Sequence, residues 1–194
     1  MIIAIDGPSA AGKGTLARAV AQHLGYHFLD TGSLYRRVGL AVMRGAIDPV
    51  AAARNLNDAV FNDTELRDEK VAQAASKVAA IVEVRAALVN FQREFSLKKP
   101  GAVLDGRDVG TVICPAADFK FYVTASMQAR AERRFDELKQ TGATLENIMA
   151  DIRARDERDA ANSKPAEDAI LIDTSDLTAD EVLYEVIKII EGAD

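Results

Sequence analysis

A glycine-rich segment near the start of the chain has the composition and spacing of a phosphate-binding loop. Residues 7–13 read Gly-Pro-Ser-Ala-Ala-Gly-Lys and fit the pattern G-x-x-x-x-G-K. Glycines let a backbone wrap closely around phosphates, and successive N–H groups at a helix start supply positive potential. Lys13 can then reach a transferring phosphate, and we expect its side chain to be exposed to the ligand rather than packed. The segment and its flank predict nine residues for binding a nucleoside triphosphate: Gly7, Pro8, Ser9, Ala10, Ala11, Gly12, Lys13, Gly14 and Thr15.

The residue after the lysine departs from the general form of this loop. Most such loops place Ser or Thr there as a magnesium ligand, whereas this chain has Gly14 followed by Thr15. We therefore do not expect a hydroxyl directly after the lysine to bind magnesium.

The elements that must position this loop alternate between apolar strands and helical patterns. Apolar runs predict strands at 2–6, 26–29, 103–104, 119–123 and 170–172. Helical spacing predicts helices at 34–43, about 127–139, about 145–155 and near the C-terminus, with a mainly helical stretch around 71–91. Strands separated by helices predict an α/β fold with a five-stranded parallel sheet covered by helices on both faces. In such sheets ligands bind beyond the carboxyl ends of the strands.

Composition narrows the function classes. The chain has 194 residues and a net charge of −6, which argues against nucleic-acid polymers and anionic lipid as partners. No apolar run is long enough to span a bilayer, and Cys114 is the single cysteine, so we expect a cytoplasmic protein without a disulfide. His23 and His27 lack the H-E-x-x-H pattern, and we expect surface roles for them. A monomer is expected, because no long exposed apolar seam is evident.

Several segments together resemble the bacterial cytidylate kinases. They are Lys13-Gly14-Thr15 and residues 29–36, 74–79, 84–85, 105–111 and 155–159, in that order along the chain. The resemblance runs from Ile3 to about Leu177. It implies one P-loop kinase domain with a core at 1–45, 100–140 and 168–194. It also implies a small helical monophosphate-binding insert at about 46–99 and a lid at about 153–166.

The resemblance implies transfer of the γ-phosphoryl group of ATP to CMP or dCMP, with magnesium on the ATP phosphates. Such transfer needs positioning of two anions and neutralisation of spreading charge more than a strong base. On the donor side, Lys13 and the loop amides would hold phosphates, and Arg130 and Arg134 would flank ATP. Arg155 and Arg158 of the lid would act on the transferred phosphoryl group. Asp105, after a strand, and Thr15 would orient magnesium, through water.

On the acceptor side, the resemblance assigns CMP-binding roles to eight residues. They are Thr31, Tyr35, Arg36, Ser76, Arg85, Arg107, Asp108 and Asp159. Arg36 and Arg107 would hold the phosphate, and Asp159 would contact the sugar. Asp108 can accept a hydrogen bond from the exocyclic amine of cytosine, whereas uracil presents an oxygen there, so we expect discrimination against UMP.

Other functions fit parts of the pattern. A P-loop kinase for another small acceptor, such as UMP, would share the loop, and so would a non-catalytic nucleotide-binding module. A GTPase switch is disfavoured, because the sequence has no N-K-x-D signature.

The lid departs from the family pattern. We expect an arginine three residues after Asp159, but Asn162 stands there, and the stretch to Pro165 is several residues short. Either this lid lacks one phosphate-binding cation, or the sequence omits part of a disordered lid. A genuinely short lid predicts weaker binding of the acceptor phosphate.

Overall fold

The structure, a computed structural model, describes residues 1–45, 48–56, 63–66, 68–138 and 142–192. Their strands form a five-stranded parallel sheet in the order β2-β3-β1-β4-β5. The strands are β1 (Ile2–Asp6), β2 (His27–Asp30), β3 (Ala102–Asp105), β4 (Phe119–Thr124) and β5 (Ile170–Asp173). The predicted α/β class with a five-stranded parallel sheet is confirmed.

Helices connect the strands. In the described residues they are α1 (Lys13–Leu24), α2 (Thr31–Met43), α3 (Pro49–Arg54), α4 (Asp63–Leu66), α5 (Glu69–Ala79), α6 (Val82–Ser96), α7 (Met127–Glu137), α8 (Leu145–Asp159) and α9 (Ala179–Glu191), with a π-helical turn at Val109–Ile113. Lys139, the predicted end of α7, lies outside the described residues. None of the described helices is long and apolar enough to cross a bilayer.

The chain divides into two compact units. The first, Met1–Leu29 with Ser96–Asp194, contains nearly all of the sheet, and its core includes Ile3, Val20 and Phe121. The second, Asp30–Phe95, is helical, and Leu40, Leu66 and Val71 form a buried cluster in it. In this second unit α2 approaches α5 so closely that a Cβ on Gly39 would lie 2.8 Å from the Ala75 nitrogen. The second unit thus begins at the start of α2, earlier than the insert expected at about 46–99.

Parallel register brings the ends of the central strands together. Ile5 on β1 is paired with Asp105 on β3 and with Phe121 on β4. Because β1, β3 and β4 run in the same direction, the residues that follow them emerge at one edge of the sheet. The glycine-rich loop follows β1, and residues 106–108 follow β3 at the same edge.

The two histidines lie on different elements. His23 is on α1, where its Nε2 lies 3.3 Å from Glu191 Oε1. His27 is on β2, where its Nε2 lies 2.9 Å from the carbonyl oxygen of Lys99. Both are exposed, and they do not share a helix face. Among the described residues, no group of three or more His, Cys, Asp or Glu side chains is arranged to hold a metal ion.

Candidate active site

The glycine-rich loop joins β1 to α1 through backbone conformations that require glycine. Gly7 has a φ of +146°, and a Cβ there would lie 1.9 Å from the carbonyl oxygen of Val123. Gly12 precedes α1 with a φ of +87°. Its carbonyl oxygen accepts the first hydrogen bond of the helix, from the nitrogen of Leu16, at 3.0 Å. The loop therefore opens directly into a helix N-terminus, where free N–H groups favour anions.

Lys13 is buried, which contradicts the expectation of an exposed side chain. It is 7% exposed, and its ammonium donates a hydrogen bond of 2.8 Å to the carbonyl oxygen of Pro8. Burial, with help from the nearby Arg107 charge, lowers the pKa of Lys13 to about 7, although Asp105 and Asp6 oppose the shift. The lysine is packed because the loop folds over it and supplies the Pro8 carbonyl oxygen as its partner.

Asp105 lies close to the start of α1. A Cβ on Gly14 would lie 3.1 Å from Asp105 Oδ2, closer than side chains normally approach. Glycine at position 14 therefore makes room for this carboxylate where a serine or threonine would crowd it. Thr15, one residue on, lines a cavity beside α1. A carboxylate and a hydroxyl are oxygen donors of the kind that magnesium accepts, usually with water and substrate phosphates completing its shell.

A carboxylate that the sequence analysis did not single out holds the segment after β3. Asp6, the last residue of β1, is 5% exposed and accepts hydrogen bonds from the backbone nitrogens of Val109 at 2.9 Å and Gly110 at 2.7 Å. Burial raises the pKa of the Asp6 carboxyl, although these two bonds act against it. Asp108, also buried, precedes the π-helical turn that these amides begin.

Arg107 connects the loop with α8. Its Nη1 donates to the carbonyl oxygen of Gly7 at 2.6 Å, and its Nε donates to Asp159 Oδ2 at 2.9 Å. Both side chains are mostly shielded from solvent, at 21% and 29% exposure. The structure therefore brings Arg107 into contact with both Asp159 and the glycine-rich loop.

Arg130 and Arg134, predicted to act together, have different surroundings. Arg130 Nη1 donates to the carbonyl oxygen of Ser9 at 3.2 Å and to Asp156 Oδ2 at 2.6 Å. Its buried Nε makes no hydrogen bond to any described residue. Arg134 instead pairs with Glu137 on the surface of α7, at 2.8 Å. The structure thus brings Arg130 to the glycine-rich loop.

A cavity of about 340 Å³ lies beside the loop within the first unit. Its lining comprises Ala11, Gly12, Thr15, Leu16, Ala19, Arg133, Thr174, Leu177, Ala179, Asp180, Val182 and Leu183. Arg133 donates to both the hydroxyl and the carbonyl oxygen of Thr174. The Thr174 hydroxyl lies 3.2 Å from the carbonyl oxygen of Ala11 and 3.1 Å from that of Thr124. The cavity is mostly apolar, with a cationic side chain fixed at its wall.

Helix α8 carries the residues expected in the lid. The sequence predicts a helix ending near Arg155, but α8 continues to Asp159, so Arg155, Arg158 and Asp159 are all helical. Arg155 is near enough to Lys13 to lower its pKa, whereas exposed Arg158 donates from Nε to the carbonyl oxygen of Ala154. After α8, Asn162 donates from its backbone nitrogen to the carbonyl oxygen of Asp159 at 2.9 Å. The short connection therefore folds back as a turn.

The remaining predicted residues belong to the helical unit. Thr31 is the buried first residue of α2, preceded by Asp30, which caps the helix by accepting from the Ser33 nitrogen at 3.1 Å. Tyr35 and Arg36 follow on α2, Ser76 lies on α5 and Arg85 on α6. All four are partly buried. Arg36, five residues beyond Thr31, lies in the N-terminal half of α2.

Four residues at the loop were missed by sequence reasoning: Asp6, Arg133, Asp156 and Thr174. Asp6 carried a signal, since a carboxylate ends an apolar strand directly before the glycine-rich loop. Asp156 lies within the Arg-Asp segment already noted, but its pairing with Arg130 depends on how α7 and α8 pack. No sequence pattern around Thr174 indicates a role at the loop.

A parallel sheet in this order, a glycine-rich loop after β1 and a buried lysine at the start of α1 define the class of P-loop kinases. Shikimate kinase from Acinetobacter baumannii has the same fold, with a TM-score of 0.57, 18% sequence identity and coverage of 100% of this chain and 94% of that chain. A sequence model of the cytidylate kinase family matches residues 3–60 and 53–192. The chain belongs to the cytidylate kinase family.

Full-length relatives support this membership. The cytidylate kinase of Cereibacter sphaeroides is 55% identical over 195 residues, which covers 97% of this chain and 94% of the relative. That of Paramagnetospirillum magneticum is 52% identical over 204 residues, covering 97% of each. The resemblance noted in the sequence is thereby confirmed.

Proposed function

We propose that this protein transfers the γ-phosphoryl group of ATP to CMP or dCMP, forming ADP and CDP or dCDP. The observation that carries the proposal is the hydrogen bond from Arg107 to the carbonyl oxygen of Gly7. It joins the loop expected to bind the donor to the segment expected to bind the acceptor, in a chain of the cytidylate kinase family. The loop alone, or the segment after β3 alone, would be compatible with other P-loop proteins.

On the donor side, backbone amides of residues 7–15 and the Lys13 ammonium bind the ATP phosphates. Phosphate oxygens replace the Pro8 carbonyl oxygen as the partner of Lys13. The cavity lined by Arg133 and Leu177 takes the adenine ring, with the guanidinium group against its face. Arg130 adds positive charge at Ser9, and the buried Nε that lacks a hydrogen bond is a further donor.

On the acceptor side, Arg107 and Arg36 bind the phosphate of CMP, and Thr31 adds a hydroxyl group. Asp108 accepts from the exocyclic amine of cytosine, while Ser76 and Arg85 donate to its ring nitrogen and carbonyl oxygen. Tyr35 packs against the base, and Asp159 contacts the sugar. Because Asp159 is paired with Arg107 here, nucleotide binding must exchange this ion pair for contacts to phosphate and sugar.

For the transfer itself, Arg155 and Arg158 of α8 neutralise the charge that spreads over the transferred phosphoryl group. Closure of this segment also excludes water, which would otherwise accept the phosphoryl group in place of CMP. Lys13 stays on the phosphoryl oxygens as they move between donor and acceptor. No strong general base is required, since positioned cations provide most of the stabilisation.

Magnesium is the cofactor that fits the oxygen donors at the loop. Asp105 and Thr15 would hold it, through water, with the ATP phosphates supplying further ligands. When bound, the ion neutralises phosphate charge and orients the donor. A monomeric state and a cytoplasmic location remain predictions from the sequence.

The direct test is transfer of label from [γ-³²P]ATP with CMP as acceptor, followed by separation of the products. We expect labelled CDP as the main product, and labelled dCDP when dCMP replaces CMP. Label released chiefly as inorganic phosphate, or left in ATP at all CMP concentrations, would contradict the proposed function. A Lys13→Met variant provides the matched inactive control.

A further inference from the structure

The short segment that follows β3 is anchored at both ends by consecutive residues of β1. At its start, the Gly106 nitrogen donates to the carbonyl oxygen of Ile5 at 3.0 Å. At its end, the Val109 and Gly110 nitrogens donate to the two carboxylate oxygens of Asp6, at 2.9 and 2.7 Å. Between these anchors lie only Arg107 and Asp108. Their backbone positions are therefore set by the last two residues of β1.

The carboxylate of Asp6 suits this task in a way that other side chains do not. Each of its oxygens accepts one backbone N–H group, and at 5% exposure water offers little replacement. A buried amide without an acceptor is costly. An asparagine at this position has one acceptor oxygen and an NH₂ group, so one backbone N–H would face another donor. Replacing Asp6 by asparagine therefore keeps the shape of the side chain but removes one of the two anchoring hydrogen bonds.

Packing around Gly110 makes the anchor rigid. A Cβ there would lie 3.3 Å from Lys120 Cδ and 3.4 Å from Asp6 Oδ2, so the backbone is in close contact with both side chains. Lys120 is itself fixed by two bonds to Asp168, at 2.9 and 2.7 Å. The turn that begins at Val109 is π-helical, a rare form often found at functional sites.

We propose that Asp6 is a positioning residue that sets the backbone of the segment carrying Arg107 and Asp108, and thereby the selection of the cytosine nucleotide. The proposal rests on the proposed function, because it assigns acceptor binding to those two residues. Asp6 acts on acceptor selection through two backbone amides, whereas its charge acts on Lys13, and so on ATP, equally for every acceptor.

The test is steady-state kinetics of Asp6→Asn with CMP, UMP and ATP varied separately. Misplacement of a binding group by about 1 Å can cost about a hundredfold in rate. We expect kcat/KM for CMP to fall roughly 10- to 100-fold, with a smaller loss for UMP, so that the CMP-to-UMP ratio falls by about threefold or more. We expect KM for ATP to rise as well, because Asp6 favours the charged form of Lys13, but this change is common to both acceptors and leaves their ratio unaltered. A general weakening of the structure would lower kcat/KM for CMP and for UMP equally.

Asp118→Asn is the matched control. Asp118 also accepts from a β1 backbone nitrogen, that of Ile2 at 2.6 Å, but at the opposite end of the strand. We expect unchanged acceptor selectivity in this variant. Equal losses for CMP and UMP in Asp6→Asn, and hence an unchanged ratio, would overturn the proposal.

Gly110→Ala is the alternative variant for the same selectivity measurement if Asp6→Asn does not fold. It keeps the carboxylate but crowds it, so the same drop in selectivity is expected, and unaltered selectivity in a folded Gly110→Ala protein would overturn the proposal. Failure of the unsubstituted protein to phosphorylate CMP would refute the proposed function. Normal CMP turnover with no effect of either substitution would refute the role of Asp6 alone.

Discussion

At the scale of single residues, the lowered pKa of Lys13 predicts that the affinity for ATP depends on pH. Its pKa is lowered to about 7, first by burial and then by Arg107. Phosphate binding favours the charged ammonium, so ATP binding raises this pKa and takes up a proton. Above pH 7 the free protein has lost that proton, and binding must restore it. We expect the Kd for ATP, measured by calorimetry, to rise with pH between 7 and 9, by up to about tenfold per unit.

Substitution of Lys13 tests whether the pH dependence of ATP binding comes from this lysine. Lys13→Met should abolish turnover, because the moving phosphoryl group would lose the cation at the start of α1, and should leave a weak ATP affinity with little dependence on pH. Lys188→Met, at an exposed lysine of α9, is the matched control and should behave like the original protein. Equal pH dependence with and without Lys13 would contradict the assignment.

Asp108 carries a prediction about base selection. Loss of its acceptor removes the hydrogen bond that distinguishes cytosine from uracil, and a hydrogen bond to a charged group is worth about 1.5–3 kcal/mol. We therefore expect Asp108→Ala to lower kcat/KM for CMP roughly 10- to 100-fold and that for UMP much less. Asp176→Ala, at an exposed carboxylate, is the control. Equal losses for CMP and UMP would show that Asp108 does not read the base.

Sequence reasoning located features formed by neighbouring residues and did not locate contacts formed between distant parts of the chain. The glycine-rich loop was predicted because glycine spacing and a following helix are both visible in residues 7–24. The burial of Lys13 was not, because Asp105 and Arg107 approach it from about ninety residues further along the chain. Asp6 was missed for the same reason, since its two donors lie more than a hundred residues away.

At the scale of elements, the turn from β1 into α1 depends on Gly7. A methyl group there would meet the Val123 carbonyl oxygen at 1.9 Å, and the φ of +146° is unfavourable for alanine. We expect Gly7→Ala to lower the free energy of unfolding by about 3 kcal/mol or more, measured by urea denaturation. Gly25→Ala changes a glycine with a φ of +66° and open space around it, and should cost only about 1–2 kcal/mol. Equal costs would contradict the steric account.

The end of α8 carries the prediction about the short lid. If this lid lacks a phosphate-binding cation, Asn162→Arg should supply one at an exposed position and lower KM for CMP, by about two- to tenfold. KM for ATP should change little, and Asn162→Gln should have no effect on either. An unaltered KM for CMP in Asn162→Arg would indicate that the absent arginine is not what weakens acceptor binding.

Elements were predicted best where a continuous apolar run marks a strand. β1 was predicted at its observed bounds, and β4 and β5 to within a residue. The end of α8 was predicted four residues too early, because 155–159 was interpreted as a lid. Its alternating Arg, Asp and Glu residues are compatible with a helix, and no glycine or proline interrupts them before Pro165.

At the scale of the whole molecule, the net charge of −6 conceals a local excess of arginine. Arg107, Arg130 and Arg133 all donate to backbone oxygens of the loop or of the segment after β5. Two of them are also paired with carboxylates of α8, Asp156 and Asp159. An acidic chain can thus keep the cations that we propose bind phosphate partly neutralised, and we expect an anionic substrate to displace the carboxylates.

The most direct test of the central claim is a comparison of kcat/KM for all common nucleoside monophosphates, by coupled detection of ADP release at fixed ATP and magnesium. We predict CMP and dCMP as the preferred acceptors, with UMP lower by a factor of about ten or more, and AMP and GMP lower still. Turnover of UMP or AMP with an efficiency equal to that of CMP would contradict the assignment.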